Sequence, residues 1–194
     1  MKDITNNEMN FVLNLLKNPK EELNARNMAK RIGITHMGSF KIAKKLEKEE
    51  IVDSRQIGKG NYYKLNLNKE YVRQYVLFLL SRESEQSNPS IKRWVNELKN
   101  ITKAEIIILF GSVLTKHEGA KDIDVLLVTN DRKFHTLKKE IESINLVNQI
   151  KIHPLYQSRE DFERNVKIGD KVILSAIKGI VIFGGNSFLE AIER

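Results

Sequence analysis

Two carboxylates and a glycine–serine corner are the residues best suited to chemistry. The run Ile107-Ile108-Leu109-Phe110 stops at Gly111-Ser112, and nine residues later a second apolar run opens as Asp122-Ile123-Asp124 and continues through Val125, Leu126, Leu127 and Val128. On a strand, side chains alternate between faces, so Asp122 and Asp124 share one. Two neighbouring carboxylates repel unless a cation lies between them. Mg²⁺ is a cation of this kind, bound through one or two carboxylates together with substrate phosphates. Glycine lets a phosphate come close to the backbone N–H groups, and the Ser112 hydroxyl stands beside it. The pattern implies metal-assisted phosphoryl or nucleotidyl transfer.

With these residues in place, the segment resembles the polymerase-beta-type nucleotidyltransferase superfamily in a minimal form. The resemblance covers about residues 90–194 and rests on Gly111-Ser112, the nine-residue spacer, Asp122-x-Asp124 and the apolar runs on both sides. It implies that Asp122 and Asp124 are catalytic and hold Mg²⁺, and that Gly111 and Ser112 bind the phosphates of a nucleoside triphosphate. It also implies a third carboxylate, on the strand after the next helix. The matching segment, residues 147–156, offers Gln149, Lys151 and His153 opposite Ile150 and Ile152, and no acid. A lysine or imidazole there is expected to repel or replace a cation. Glu160 and Asp161 fall too late, at the start of a further helix. This departure bears on catalysis more than on fold.

The elements that must position these residues follow from periodicity. Residues 104–110, 122–128, 147–156 and 180–184 read as strands, and 132–143, 159–166 and 170–178 as helices, with a last turn or two at 188–193. Ile91, Trp94, Val95 and Leu98 form the stripe of a helix that leads in. His117, His135 and His153 have no metal-ligand spacing, so no histidine metal site is expected.

The first part of the chain has a different pattern. Residues 6–17 read as a helix with Met9, Val12, Leu13 and Leu16 inward, ended by Asn18-Pro19. Asn24 caps a short helix over 25–32, Gly33 turns the chain, and Thr35 caps a third helix over 36–49. Residues 51–55 and 62–67 read as strands, joined by a glycine-rich tip at 56–61. Three helices and a basic hairpin resemble a winged helix-turn-helix domain of prokaryotic transcription regulators. The third helix is the one sized for a major groove. Helical spacing assigns His36, Ser39, Phe40, Lys41, Lys44, Lys45 and Lys48 to its outer face, and Lys59 to the wing. His36, Ser39, Lys41, Lys44, Lys45 and Lys59 are the expected contacts to double-stranded DNA.

Charge agrees with this division. Residues 1–70 carry 14 Lys/Arg and 9 Asp/Glu, a net of +5, whereas residues 101–194 carry 14 and 13, a net of +1. A basic first half beside a near-neutral second half suggests a polyanionic partner for the first. Between them, residues 69–85 read as a helix with more apolar residues than one stripe needs: Val72, Tyr75, Val76, Phe78, Leu79 and Leu80. That excess suggests a homodimer, or else packing on both domains of the same chain. Residues 87–90 read as a linker.

Composition excludes several classes. With 41% hydrophobic and 30% charged residues, the chain has the make-up of a globular protein. No cysteine means no disulfide and no zinc–thiolate site. There is no apolar run of membrane-spanning length and no signal-peptide core, so a cytoplasmic location is expected.

The expected architecture is α+β: a winged helix-turn-helix over 1–68, a connecting helix and linker over 69–89, and a small mixed α/β nucleotidyltransferase-like domain over 90–194. The expected function is that of a DNA-binding transcriptional regulator whose second domain binds Mg-nucleotide, with weak or lost transfer. Two alternatives stay open. One is an active nucleotidyltransferase moving a nucleoside monophosphate to a protein, nucleic acid or small-molecule acceptor. The other is an antitoxin-like chain acting on a separate protein partner.

Overall fold

The computed structural model describes residues 4–115 and 120–193. The chain divides into two compact units, Met1–Leu79 and Leu80–Arg194. The division falls inside the connecting helix and not in the polar segment after it.

In the first unit, helix α1 (Asn6–Lys17) begins at a capping box in which Thr5 and Glu8 satisfy each other's backbone N–H groups. A two-residue strand, β1 (Leu23–Asn24), leads into α2 (Ala25–Ile32), capped by Asn24. Helix α3 (His36–Lys48) follows, with the Thr35 hydroxyl accepting from the Gly38 N–H at 3.1 Å. Strands β2 (Val52–Ile57) and β3 (Gly60–Leu65) form the hairpin, and the sheet order is β1-β3-β2, all antiparallel. Three helices closed by this sheet make a winged helix. Strand β1 is too short to leave an alternating pattern and was not expected. The hairpin is also tighter than the glycine-rich stretch suggested. Pairing continues to Ile57↔Gly60, leaving a two-residue turn, Gly58-Lys59, with Gly58 at φ 58°. Turns of this length need positive φ, which glycine supplies at least cost. The core is made of Phe11, Val12, Met28, Ala43, Leu46 and their neighbours.

Helix α4 (Glu70–Glu85) buries Val72, Val76, Leu79 and Leu80 within the chain. The apolar excess read from the sequence therefore shrinks to Phe78, 52% exposed, and half-buried Tyr75, with Tyr71, 49% exposed, as an addition the sequence reading had left out.

In the second unit, α5 (Pro89–Leu98) starts with Asn88 as cap and proline in its first turn, so part of the expected linker is helix. Strand β4 (Ile106–Phe110), a 3₁₀ turn (Gly111–Leu114) and strand β5 (Asp122–Val128) follow. Helix α6 (Asp131–Val147) then crosses over to β6 (Lys151–Gln157). Helices α7 (Arg159–Ile168) and α8 (Lys171–Ala176), strand β7 (Ile180–Phe183) and α9 (Gly185–Glu193) complete the unit. Residues 147–150 were expected to be strand. Helix α6 runs through Val147 instead, and the strand starts only at Lys151.

The sheet order is β6-β5-β4-β7, with β5 and β6 parallel and the other pairs antiparallel. Parallel neighbours require a crossover, which α6 provides. One face carries Ile107, Leu109, Ile123, Val125 and Leu127 against residues of α5 and α6, among them Trp94, Leu98, Leu137 and Ile141. The opposite face is covered by helices of the C-terminal part, with α8 and α9 packed on β4. Arg159 ties this cover together. It donates to Glu105, to Glu163 at 2.8 Å and to Glu190 at 2.9 Å, which raises its pKa still further.

Among the described residues, no helix is long and apolar enough to cross a membrane.

Candidate functional site

Strand β5 is buried along its whole length except at its first turn of chain. Asp122 is exposed and Asp124 is partly exposed, while every residue from Val125 to Val128 is buried. The two carboxylates stand on the same face as Leu126 and Val128, at the less buried end of the strand. The sheet thus supplies a dry, rigid base, and the acids sit at its open mouth.

The glycine corner belongs to this mouth. Asp124 pairs with Phe110 across β4 and β5, so it lies directly beside Gly111. Gly111 has φ 80°, and a Cβ added there would come within 2.0 Å of Asp124 Oδ2. Two independent reasons therefore require glycine: the left-handed backbone and the space taken by the carboxylate. Ser112 follows, partly exposed, in the 3₁₀ turn. Gly111, Ser112, Asp122 and Asp124 are thus brought together. The spacer that closes them, 113–121, includes residues 116–119, and His117 lies with these outside the described residues.

The third position is held by strand β6. Register pairs Asp122 with Lys151 and Asp124 with His153. The Asn145 side chain fixes that register, accepting from the Ile152 N–H at 2.7 Å and donating to its carbonyl at 3.1 Å. Lys151 does not oppose a cation as its sequence position suggested. Its ammonium turns back to the Asn145 carbonyl and to the Asn148 carbonyl at 2.6 Å, where cations suit a helix C-terminus. His153 remains at the mouth, with Nδ1 3.3 Å from Asp124 Oδ1 and its side chain 76% exposed. Ligand atoms of Asp122, Asp124 and His153 all lie within 4.8 Å of one another. Sequence spacing had offered no histidine near the aspartates, and the structure places one beside them. His153 is separated from the aspartates by a whole crossover helix, so no short spacing could reveal it. Glu160 and Asp161 lie in the first turn of α7, as read from the sequence.

In the first unit the expected DNA-facing residues separate into two groups. His36, Lys41 and Lys59 are exposed. Lys44 is also exposed, but its ammonium donates to Glu47 at 2.7 Å and lies 5.9 Å from the Phe40 ring centroid. Glu47 is held in turn by the Ser54 hydroxyl. Ser39 and Lys45 do not fit the assignment. Ser39 is fully buried, because it lies one turn before Ala43 on the stripe, with Leu46, that packs inward. Lys45 reaches the buried Glu8 carboxylate of α1 and braces α3 against it. Burial alone would raise the Glu8 pKa, but Lys45 and the Thr5 N–H and hydroxyl together hold it below its ordinary value. The outer face also shows Met37, 59% exposed, which charge counting had passed over.

The two units thus pair a winged helix with a four-stranded mixed sheet. Residues 92–184 match the family model described as Polymerase beta, Nucleotidyltransferase, so the C-terminal region is a nucleotidyltransferase domain of that type. No curated protein shows significant similarity to the chain. Solved structures that resemble the chain include MepR, a transcription regulator of the Staphylococcus aureus multidrug efflux pump MepA. It is 16% identical, with a TM-score of 0.37, over 50% of this chain and 76% of that one. The heme sensor protein PefR from Streptococcus agalactiae gives 16% identity and a TM-score of 0.37 over 50% and 71%. RV1404 from Mycobacterium tuberculosis gives 14% and 0.34 over 50% and 74%. Likeness at this level says nothing about ligand or target.

Proposed function

We propose that the protein is a DNA-binding regulator whose nucleotidyltransferase domain binds a metal–nucleoside triphosphate and transfers its nucleoside monophosphate, with release of pyrophosphate, slowly or not at all. One observation carries this reading: Asp122 and Asp124 stand side by side at the Gly111 corner, and the residue opposite Asp124 is His153, not an acid. Retention of the corner supports nucleotide binding. The donor set of two carboxylates and an imidazole fits a divalent ion, and such an ion, when bound, would neutralise phosphate charge. Asp122 and Asp124 would hold it, while Gly111 and Ser112 would leave room for the phosphates. A full transfer site also needs a group to draw the proton from an acceptor hydroxyl or a second charge clamp on the attacking oxygen. The described residues of the mouth offer no third carboxylate for either task.

For the first unit, the support is the winged helix itself with His36, Lys41, Lys44 and Lys59 on its exposed elements. Helix α3 would enter the major groove, with residues near its start facing base edges. A homodimer is part of the proposal, through the exposed Tyr71 and Phe78, and a twofold assembly would suit a palindromic site. Sedimentation at tens of micromolar is its check, and a monomer alone would remove it.

The experiment for the nucleotide reading is calorimetry with ATP, GTP, CTP and UTP, each with a divalent ion, on wild type and Asp124→Asn. Heat with at least one nucleotide, lost in Asp124→Asn while duplex DNA binding persists, is the expected result. No heat with any of the four sinks it. Rapid pyrophosphate release with an acceptor would instead favour the enzyme, for which the unbroken Gly111–Asp124 packing is the specific support.

A further inference from the structure

We infer that His153 is the third ligand of the ion held by Asp122 and Asp124, and that this makes the site prefer a transition ion such as Mn²⁺ or Co²⁺ over Mg²⁺. The inference rests on the metal-binding reading of this mouth and adds the identity of the metal and of a ligand.

Three observations converge. The first is register. His153 is the direct neighbour of Asp124 across β5 and β6, so both side chains leave the sheet on the same face. The second is orientation. Asp124 is fixed at both oxygens: Oδ2 fills the space at Gly111 and Oδ1 faces His153 Nδ1 at 3.3 Å. Two ligands at about 2.1 Å from one ion stand 3.3 Å apart when they subtend about 105°. That is a normal angle for neighbouring ligands on a first-row ion. The third is the removal of the competing cation. Lys151, opposite Asp122, carries its ammonium to the end of α6, which leaves the His153 ring as the available donor beside the acids.

Donor chemistry then selects the metal. Carboxylate and water suit Mg²⁺ and Mn²⁺ alike, whereas an imidazole nitrogen favours Mn²⁺, Fe²⁺, Co²⁺ and later ions in the order of their nitrogen affinity. Mg²⁺ gains little from the nitrogen and gives up a water reluctantly. The bland alternative is a plain histidine–aspartate hydrogen bond, which would orient Asp124 and leave metal choice unchanged.

The two are separated by measurements that need no activity. The probes are Mn²⁺, Co²⁺ and Mg²⁺ alone, added to the full chain. Calorimetry should give Mn²⁺ and Co²⁺ affinities above that of Mg²⁺ by at least about tenfold, the low end of what even a supporting partner contributes to a metal site. Pulsed EPR of the Mn²⁺ complex should show coupling to a directly bound nitrogen. His153→Ala should abolish that coupling and lower Mn²⁺ affinity by about tenfold with little effect on Mg²⁺. His153→Asp should narrow or reverse the preference. The exposed ring makes both variants tolerable for folding, which circular dichroism would verify. Absence of nitrogen coupling, or equal affinity for Mg²⁺ and Mn²⁺, overturns the inference. The outcome is distinguishable from failure of the functional reading. Nitrogen-coupled Mn²⁺ without any nucleotide heat would keep this inference and remove the nucleotide. Nucleotide binding supported equally by Mg²⁺ and Mn²⁺, without nitrogen coupling, would do the reverse.

Discussion

The outer face of α3 and the mouth of β5 are both read from charged residues, and the sequence treated them differently. On α3, helical spacing placed a set of lysines outward, and only part of the set is available. Lys45 is drawn to Glu8 and Lys44 shares its charge with Glu47. On β5, alternation placed Asp122 and Asp124 on one face, and that placement agrees with the burial of Ile123, Val125 and Leu127 behind them. A lysine has four rotatable bonds and will find an acid within reach, so the position of its Cα says little about where its charge ends. An aspartate has one methylene, so strand register fixes its carboxylate to within a rotamer. Short acids on a strand are legible, and long bases on a helix are legible only as a reservoir.

The largest test of that contrast is Gly111→Ala. A methyl group added at Gly111 would displace the carboxylate of Asp124 and strain a backbone at φ 80°. A displacement of about 1 Å in such a site can cost about a hundredfold, so metal-dependent nucleotide binding should fall by about that factor while DNA binding is unchanged. Calorimetry on the variant measures it. A variant that binds as wild type would show that the β5 mouth is as forgiving as a helix face.

The next effect is on stability in the first unit. Lys45→Ala leaves the buried Glu8 carboxylate without its ammonium. The cost should be about 2 kcal/mol in chemical denaturation, less than for a fully buried pair because a third of the Lys45 side chain meets solvent. DNA affinity at low salt should change little. The same pair makes the unit sensitive to acid. The folded pKa of Glu8 lies below its ordinary value of 4.5, so its contribution is complete above that value and is lost as pH falls through the lowered one. Glu8→Gln should flatten the stability profile in that window. If the profile is identical in the variant, Glu8 is not the group that senses acid.

The smallest effect concerns DNA. Lys41→Ala and Lys59→Ala should each reduce the salt slope of duplex binding by about one, as expected for loss of one phosphate contact. Lys44→Ala should do less, because Glu47 already holds part of that charge. Equal slopes for all three would mean that the ion pairs on α3 open freely when DNA approaches.

Much of the fold was open to sequence reading. Helices 6–17 and 25–32 agree with α1 and α2 at both ends, and Asn18-Pro19, Asn24 and Gly33 mark three of those four limits with specific chemistry. The start of β6 was misplaced because the alternation of Ile150 and Ile152 was extended back to Val147. Leu146 and Val147 are in fact exposed helix residues at 84% and 81%. Strand β1 was missed because two residues carry no period.

For this protein, the sequence alone determined a winged helix followed by a nucleotidyltransferase-type sheet, and it determined that Asp122, Asp124, Gly111 and Ser112 lie at one corner. Local rules suffice there: caps, alternation, and a corner joining adjacent strands. Tertiary structure alone decided that His153 stands beside Asp124, that the Lys151 ammonium turns away to the end of α6, and that Ser39 and Lys45 are withdrawn from the outer face of α3. Each of those facts depends on a partner brought in by a crossover or by packing between helices. Linear spacing records neither the register between parallel strands nor the acid that a long side chain will find.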